Sequence, residues 1–270
     1  MNVVILGVGP TGRALARGCS DAGFAITLCG EEANAVLDAV DSLSTPDADG
    51  TTDVSGAVAS ADVVVETRTT DVEAARERLA DVEDGAPTDA QLLATVESTA
   101  VTTLAVALRE PGRLVGLHAA APLGWDDSIE VVEPEGANEQ RVADAESFVE
   151  RLGWHPLRVR DGPGFLADRL RLAQQVEAIR IYEQGVADPA TIDRAMTVAD
   201  GRDVGPLEMA DRQGLETLQT ALERLAADLG PRFDPPSTLR ERVEEGRLGR
   251  QSGEGFYEWE DGHPVRPIDE

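Results

Sequence analysis

The run Asn2-Val3-Val4-Ile5-Leu6-Gly7-Val8-Gly9-Pro10-Thr11-Gly12 decides the fold. A β-branched apolar stretch leads into a glycine turn, and residues 13–21 then follow a helical period. Strand, glycine turn and helix in that order form the context in which such a turn cradles a dinucleotide. Gly7 allows the tight bend, Gly9 lets backbone approach a pyrophosphate, and Gly12 permits close packing of helix on strand. With Pro10 and Thr11 they make up the candidate cofactor loop, and the helix N-terminus supplies amide donors to the phosphates.

The next strand, 24–29, ends where a dinucleotide fold usually carries an acid for the adenosine ribose diol. Gly30 holds that place, and Glu31 beside it is the candidate. Because no Arg follows this strand, a 2'-phosphate would meet negative charge, so NAD is expected rather than NADP.

Further along, the pattern alternates. Residues 33–43 suit a helix, 44–50 a polar loop, 55–59 a short helical piece and 62–66 a Val-rich strand buried on both faces. A helix at 71–80, a strand at 91–96, a helix at 101–109, a strand ending at His118, a strand at 128–132, a helix at 139–151 and a strand at 155–159 follow. This alternation predicts a doubly wound α/β sheet. At Asp161-Gly162-Pro163-Gly164 the pattern changes, which predicts an α/β nucleotide-binding domain over 1–161 and an all-α domain over 162–270. In the second part, 165–184 carries Leu166, Leu170, Ala173, Val176 and Ile179 as one apolar stripe. Helices are expected at 189–196, 206–211, 214–229 and 236–245, with a closing turn at 253–259.

The chain holds only three histidines. His118 follows Leu114, Val115 and Leu117, where a strand would leave the core, and Glu130 lies inside the next apolar run. An imidazole with a carboxylate on its far nitrogen is fixed in one tautomer and becomes a better base, because the imidazolium is stabilised. His118 and Glu130 are therefore the candidate base and its orienting acid. His155 and His263 have no spaced partners, and no metal site is expected. Cys19 and Cys29 lack metal-ligand spacing and read as buried, inert thiols.

The formal net charge is -27, from 51 Asp and Glu against 24 basic residues, all of them Arg. Such a field repels nucleic acid and anionic membrane, so neither is an expected partner. The acids are spread along the chain rather than blocked, as on a halophile-type surface whose stability rises with molar salt. No apolar run approaches the length of a membrane helix and none reads as a secretory signal, so a soluble, cytoplasmic protein is expected.

Five blocks in order, Gly7-Val8-Gly9-Pro10-Thr11-Gly12, Gly116-Leu117-His118 with Glu130, Gly162-Pro163-Gly164-Phe165-Leu166-Ala167-Asp168-Arg169-Leu170, Gly205-Pro206-Leu207-Glu208, and 246–257, resemble the 3-hydroxyacyl-CoA dehydrogenases. The resemblance implies a Rossmann-type NAD domain, a helical domain that usually dimerises, and oxidation of a 3-hydroxyacyl-CoA to the 3-oxoacyl-CoA. It places the family's catalytic histidine on His118 and its glutamate on Glu130. Its substrate-touching serine falls on Ser98 or Thr99, and its asparagine at the head of the helical domain on Asp168. The sequence departs from the pattern at Ala119-Ala120-Ala121-Pro122, where two aromatics and Asn-Pro are usual, at Asp168, and in a shortened stretch between Asp41 and Thr51. Two other readings stay open: a non-catalytic relative that binds NAD or acyl-CoA, and a dehydrogenase of a free hydroxy acid.

Overall fold

Val3 to Leu6 are buried on both faces of their strand, which places β1 (Asn2–Leu6) at the centre of the architecture. The computed structural model describes residues 1–43, 45–97, 99–121 and 124–268, without the side chains of 120, 121, 124–127 and 200. It divides into two compact units, Met1–Leu166 and Ala167–Glu270.

In the first unit β1 is followed by α1 (Pro10–Asp21), β2 (Ala25–Cys29), α2 (Ala33–Asp41), β3 (Ala48–Thr51), α3 (Val54–Val58) and β4 (Val63–Glu66). Then come α4 (Val72–Gly85), β5 (Gln91–Thr95), α5 (Val101–Ala105), β6 (Leu114–Ala121), β7 (Gly124–Glu133), α6 (Glu139–Arg151) and β8 (His155–Arg160). Among the described residues, eight strands form one sheet in the order β3-β2-β1-β4-β5-β6-β7-β8. All neighbours are parallel except β6 and β7. Successive side chains of β1 feed opposite layers. Val3 and Ile5 pack with Leu15 of α1 and Phe148 of α6, while Val4 and Leu6 pack with Leu79 of α4 and Leu104 of α5. Two apolar layers sandwiching one parallel-rich sheet make the doubly wound Rossmann-type fold.

Register aligns the ends that matter. Leu6 pairs with Cys29 on one side and Glu66 on the other, and Thr95 pairs with Leu117. The residues just beyond, Gly7, Gly30 and Thr67, therefore leave the sheet along one carboxyl edge, and His118 lies level with them where β6 runs on past the end of β5. The strand order reverses between β1 and β4, and the crevice opening there is where such sheets bind ligands.

The second unit holds α7 (Ala167–Glu183), α8 (Pro189–Asp200), α9 (Pro206–Gln213), α10 (Leu215–Leu229), α11 (Ser237–Glu244) and a hairpin of β9 (Tyr257–Glu260) and β10 (His263–Pro267). Leu172, Val176, Ile179, Leu207, Leu218, Leu222 and Phe256 belong to its core. Two buried aspartates anchor it. Asp193 of α8 accepts from the amides of Leu207 and Glu208 at 2.8 Å, capping α9. Asp211 of α9 accepts from the amides of Phe256 and Tyr257 and from the Trp259 indole, all at 2.9 Å, fixing the closing segment. Burial pushes the Asp211 carboxyl up to about 6.

Several elements differ from the sequence expectation. Ala48–Thr51 is a strand where a polar loop was expected, because an edge strand gains its pairing from β2 rather than from apolar side chains. The helix expected over 101–109 ends at Ala105, and the closing turn extends into the β9–β10 hairpin. The apolar stripe holds over its later part, where Ala173, Val176 and Ile179 face the core, and departs from it at Leu166 and Leu170. Leu172, Gln175, Val176 and Ile179 are buried, while Leu170 is 65% exposed and Leu166, before the helix, 47% exposed.

Candidate active site

The glycine turn has the shape a diphosphate needs. Gly7 adopts φ +122°, open only to glycine, and a Cβ on it would also meet Thr67 Oγ1 at 2.3 Å. A Cβ on Gly12 would lie 2.1 Å from the Gly7 carbonyl oxygen, so any side chain there would lever α1 off β1. In front of Gly9 there is open space with nothing within 4 Å, which a side chain would fill. Gly9 caps α1 without a side-chain hydrogen bond, Pro10 has no N–H to offer, and the first turn holds no acid. The first-turn amides of Thr11 and Gly12 have no intrahelical acceptors, so they and the dipole face this opening. These residues fit the pyrophosphate of a dinucleotide. Arg13 serves the scaffold instead, its guanidinium bonding the carbonyls of Val8, Asp38 and Ala35.

Glu31 stands beyond β2 with its side chain 84% exposed, and its Oε1 accepts from Arg68 Nη1 at 2.8 Å. Arg68 also reaches the fully buried Glu66, through its backbone amide at 2.7 Å and Nε at 3.4 Å. Arg78 Nε completes the Glu66 carboxylate at 2.7 Å. Sequence reasoning missed Arg68, since it lies 37 residues from Glu31. The signal was present in its position, two residues beyond a buried parallel strand whose end is level with β1.

On the other side of the switch point, His118 and Glu130 face each other in register on the antiparallel pair β6 and β7. Nδ1 of His118 lies 2.8 Å from Glu130 Oε2, with the residues 5% and 0% exposed. In this dry setting the carboxylate fixes the imidazole orientation and favours a proton on Nδ1. The Phe165 ring lies against the imidazole, 4.8 Å between centroids and tilted 44°. Phe165 is held at φ +46° by a tight turn in which its amide donates to Gly162 O. An aromatic residue in the left-handed region costs about 1 kcal/mol or more, and here packing over-determines it. The Gly162-Pro163-Gly164-Phe165 segment thus delivers an aromatic wall to the histidine, a role its turn residues alone did not announce.

Other predicted residues fall as follows. Ser98 lies outside the described residues. Thr99 is half-buried in the bend before α5, in a segment that leaves β5 where Val96 N donates to Leu117 O, one residue before His118. Asp168 is the second residue of α7 and belongs to the second unit, where Arg171 Nη2 donates to its Oδ1 at 2.8 Å. Cys19 and Cys29 are free and buried, and burial raises their thiols to about 12 and about 11. Among the described residues, no group of three His, Cys, Asp or Glu could hold a metal, and no helix is long and apolar enough to cross a membrane.

A doubly wound sheet with a glycine cradle and a buried histidine–glutamate pair on one carboxyl edge defines the class: a dinucleotide-dependent dehydrogenase. The comparisons agree. Residues 2–162 match the model of the 3-hydroxyacyl-CoA dehydrogenase NAD binding domain, and 164–259 that of the C-terminal domain of the same enzymes. A Bacillus subtilis protein named as a probable 3-hydroxybutyryl-CoA dehydrogenase is 32% identical over 202 residues, 74% of this chain and 70% of that one. The pig mitochondrial hydroxyacyl-coenzyme A dehydrogenase is 30% identical over 77% of this chain and 67% of its own. In fold, the crystal structure of Ralstonia eutropha (S)-3-hydroxybutyryl-CoA dehydrogenase superposes with TM-score 0.88 at 24% identity, covering 96% of this chain and 99% of that one. The chain belongs to the 3-hydroxyacyl-CoA dehydrogenase family, with NAD as its cofactor.

Proposed function

We propose that this chain catalyses the reversible oxidation of a 3-hydroxyacyl-CoA to the 3-oxoacyl-CoA, with His118 as general base in that direction and general acid in the other. The observation that carries the reading is the buried contact of 2.8 Å between His118 Nδ1 and Glu130 Oε2, on the same sheet edge as the glycine cradle. With Nδ1 committed to Glu130, Nε2 is the nitrogen that exchanges a proton with the substrate 3-hydroxyl. Glu130 stabilises the imidazolium formed on proton uptake, and Phe165 keeps water from one face of the ring. NAD bound in this cradle would supply the hydride acceptor for C3 of the substrate. Gly7, Gly9, Pro10, Thr11 and Gly12 hold its diphosphate, and Glu31 takes its ribose diol. Ser98 or Thr99 donates to the developing carbonyl, and Asp168 stands where the family carries its asparagine at the head of the helical domain.

The relatives named above support the acyl-CoA substrate class. The test is consumption of NADH by the purified chain in molar salt, with acetoacetyl-CoA against acetoacetate. Turnover of the thioester well above that of the free acid supports the reading. Preference for the free acid would make this a hydroxy-acid dehydrogenase. Binding of NADH without turnover of either would make it a non-catalytic relative.

A further inference from the structure

The sequence offers no Arg after β2, yet the fold brings one there from β4. Arg68 spans three strand ends. A Cβ on Gly7 would lie 3.0 Å from its Cγ and 3.5 Å from its Cδ, so its stem crosses the glycine turn at the end of β1. Its amide and Nε are tied to Glu66 at the end of β4, and its Nη1 to Glu31 beyond β2. In a doubly wound fold this is the adenosine end of the dinucleotide crevice, where an acid takes a 2'-hydroxyl and a nearby Arg takes a 2'-phosphate.

We propose that Arg68 is the second half of a cofactor-selecting pair. It holds the Glu31 carboxylate toward the ribose in the native protein, and it supplies a ready guanidinium for a 2'-phosphate once Glu31 is replaced by an uncharged side chain. The geometry separates its two carboxylate partners. Glu66 is fully buried and already satisfied by Arg78 at 2.7 Å, so its tie to Arg68 is fixed. Glu31 is exposed and accepts from Arg68 through one oxygen at 2.8 Å, so this contact can be exchanged for a ligand. With Glu31 ionised and Glu32 adjacent, an incoming 2'-phosphate meets two acids and one cation. With an uncharged side chain in place of Glu31, the balance evens and Arg68 Nη1 is left facing the site. A guanidinium paired to phosphate forms strong, charge-assisted bonds.

The proposal rests on the dinucleotide site and not on the substrate, so it is tested by binding alone. Fluorescence titration of NADH and NADPH without acyl-CoA reports on it even if His118 has no catalytic role. Glu31→Gln is expected to weaken NADH about tenfold and to strengthen NADPH about tenfold or more, the size of one charge-assisted contact exchanged. In Glu31→Gln/Arg68→Gln the NADPH gain is expected to vanish, and in Glu31→Gln/Arg68→Lys to survive in part, since lysine keeps the charge without the planar fork. Arg68→Gln alone is expected to weaken NADH severalfold through the loosened Glu31. The proposal is overturned if the NADPH/NADH ratio does not move in Glu31→Gln, or if the gain is the same with and without Arg68. Should Arg68→Gln fail to fold for want of its Glu66 contact, the Glu31→Gln and Arg68→Lys measurements decide it alone, because Glu31 is exposed and the lysine keeps a cation beside Glu66.

Discussion

Replacing Glu130 with Gln removes one negative charge from a fully buried position while keeping the size of the side chain and an oxygen that can accept from His118 Nδ1. The charge matters because the contact is 2.8 Å long and dry. Coulomb's law at an effective dielectric of about 20 gives roughly 6 kcal/mol for unit charges at that separation. Desolvation of the carboxylate counts against that figure, and hydrogen bonds to charged groups contribute a net of about 1.5–3 kcal/mol. The smaller figure governs, because the imidazolium must itself form in a dry site and the Gln oxygen still accepts from Nδ1–H, so only part of the Coulomb attraction is lost. A loss of about 2–3 kcal/mol in transition-state stabilisation corresponds to a fall of about 30- to 150-fold in kcat/KM. The assay is NADH consumption with acetoacetyl-CoA in molar salt, paired with fluorescence titration of NADH, whose affinity is expected to stay within about twofold because Glu130 lies across β6 from the glycine cradle. A folded Glu130→Gln protein with less than about threefold loss would refute the reasoning that the carboxylate works by stabilising the imidazolium.

Two further outcomes are expected. Gly12→Ala places a Cβ 2.1 Å from the Gly7 carbonyl oxygen, which forces α1 and the turn apart by about 1 Å and should weaken NADH about 100-fold, while the melting temperature falls only modestly; unchanged affinity would remove the cradle from the account. The pH dependence of stability follows from Asp211, whose carboxyl is raised by burial from 3.8 to about 6. The folded state binds this proton more tightly than the unfolded one, so the contribution is complete below about pH 4 and is lost as pH rises through about 6. At about 1.4 kcal/mol per unit, this amounts to about 3 kcal/mol. The difference in melting temperature between wild type and Asp211→Asn should therefore be more favourable to wild type at pH 4 than at pH 7, and a difference constant with pH would contradict it.

Much of the fold was legible because its signals are local. The buried run before Gly7, the periodicity of the helices and the alternation of elements specify a doubly wound sheet. The interval between His118 and Glu130 was legible as a facing pair because two short apolar runs lie close in sequence, and β6 and β7 do pair in that register. What escaped was carried by backbone or by long-range contacts. β3 has almost no apolar residues, since an edge strand is held by its neighbour's hydrogen bonds. Asp193 and Asp211 look like surface acids on amphipathic helices, and only the fold shows that their acceptors meet amides and an indole many residues away. Arg68 was invisible for the same reason, being brought to Glu31 by the order of strands rather than by sequence. The helical period of 165–184 places Phe165 at the start of a helix, whereas its left-handed backbone, before α7 begins, turns the ring onto His118.

The central claim is that His118 moves the substrate proton. His118→Ala tests it most directly, by turnover of acetoacetyl-CoA with NADH alongside the dissociation constant for NADH. The account predicts a loss of turnover of about 100-fold to 10,000-fold with cofactor affinity nearly intact. Unchanged turnover in the folded variant would contradict it.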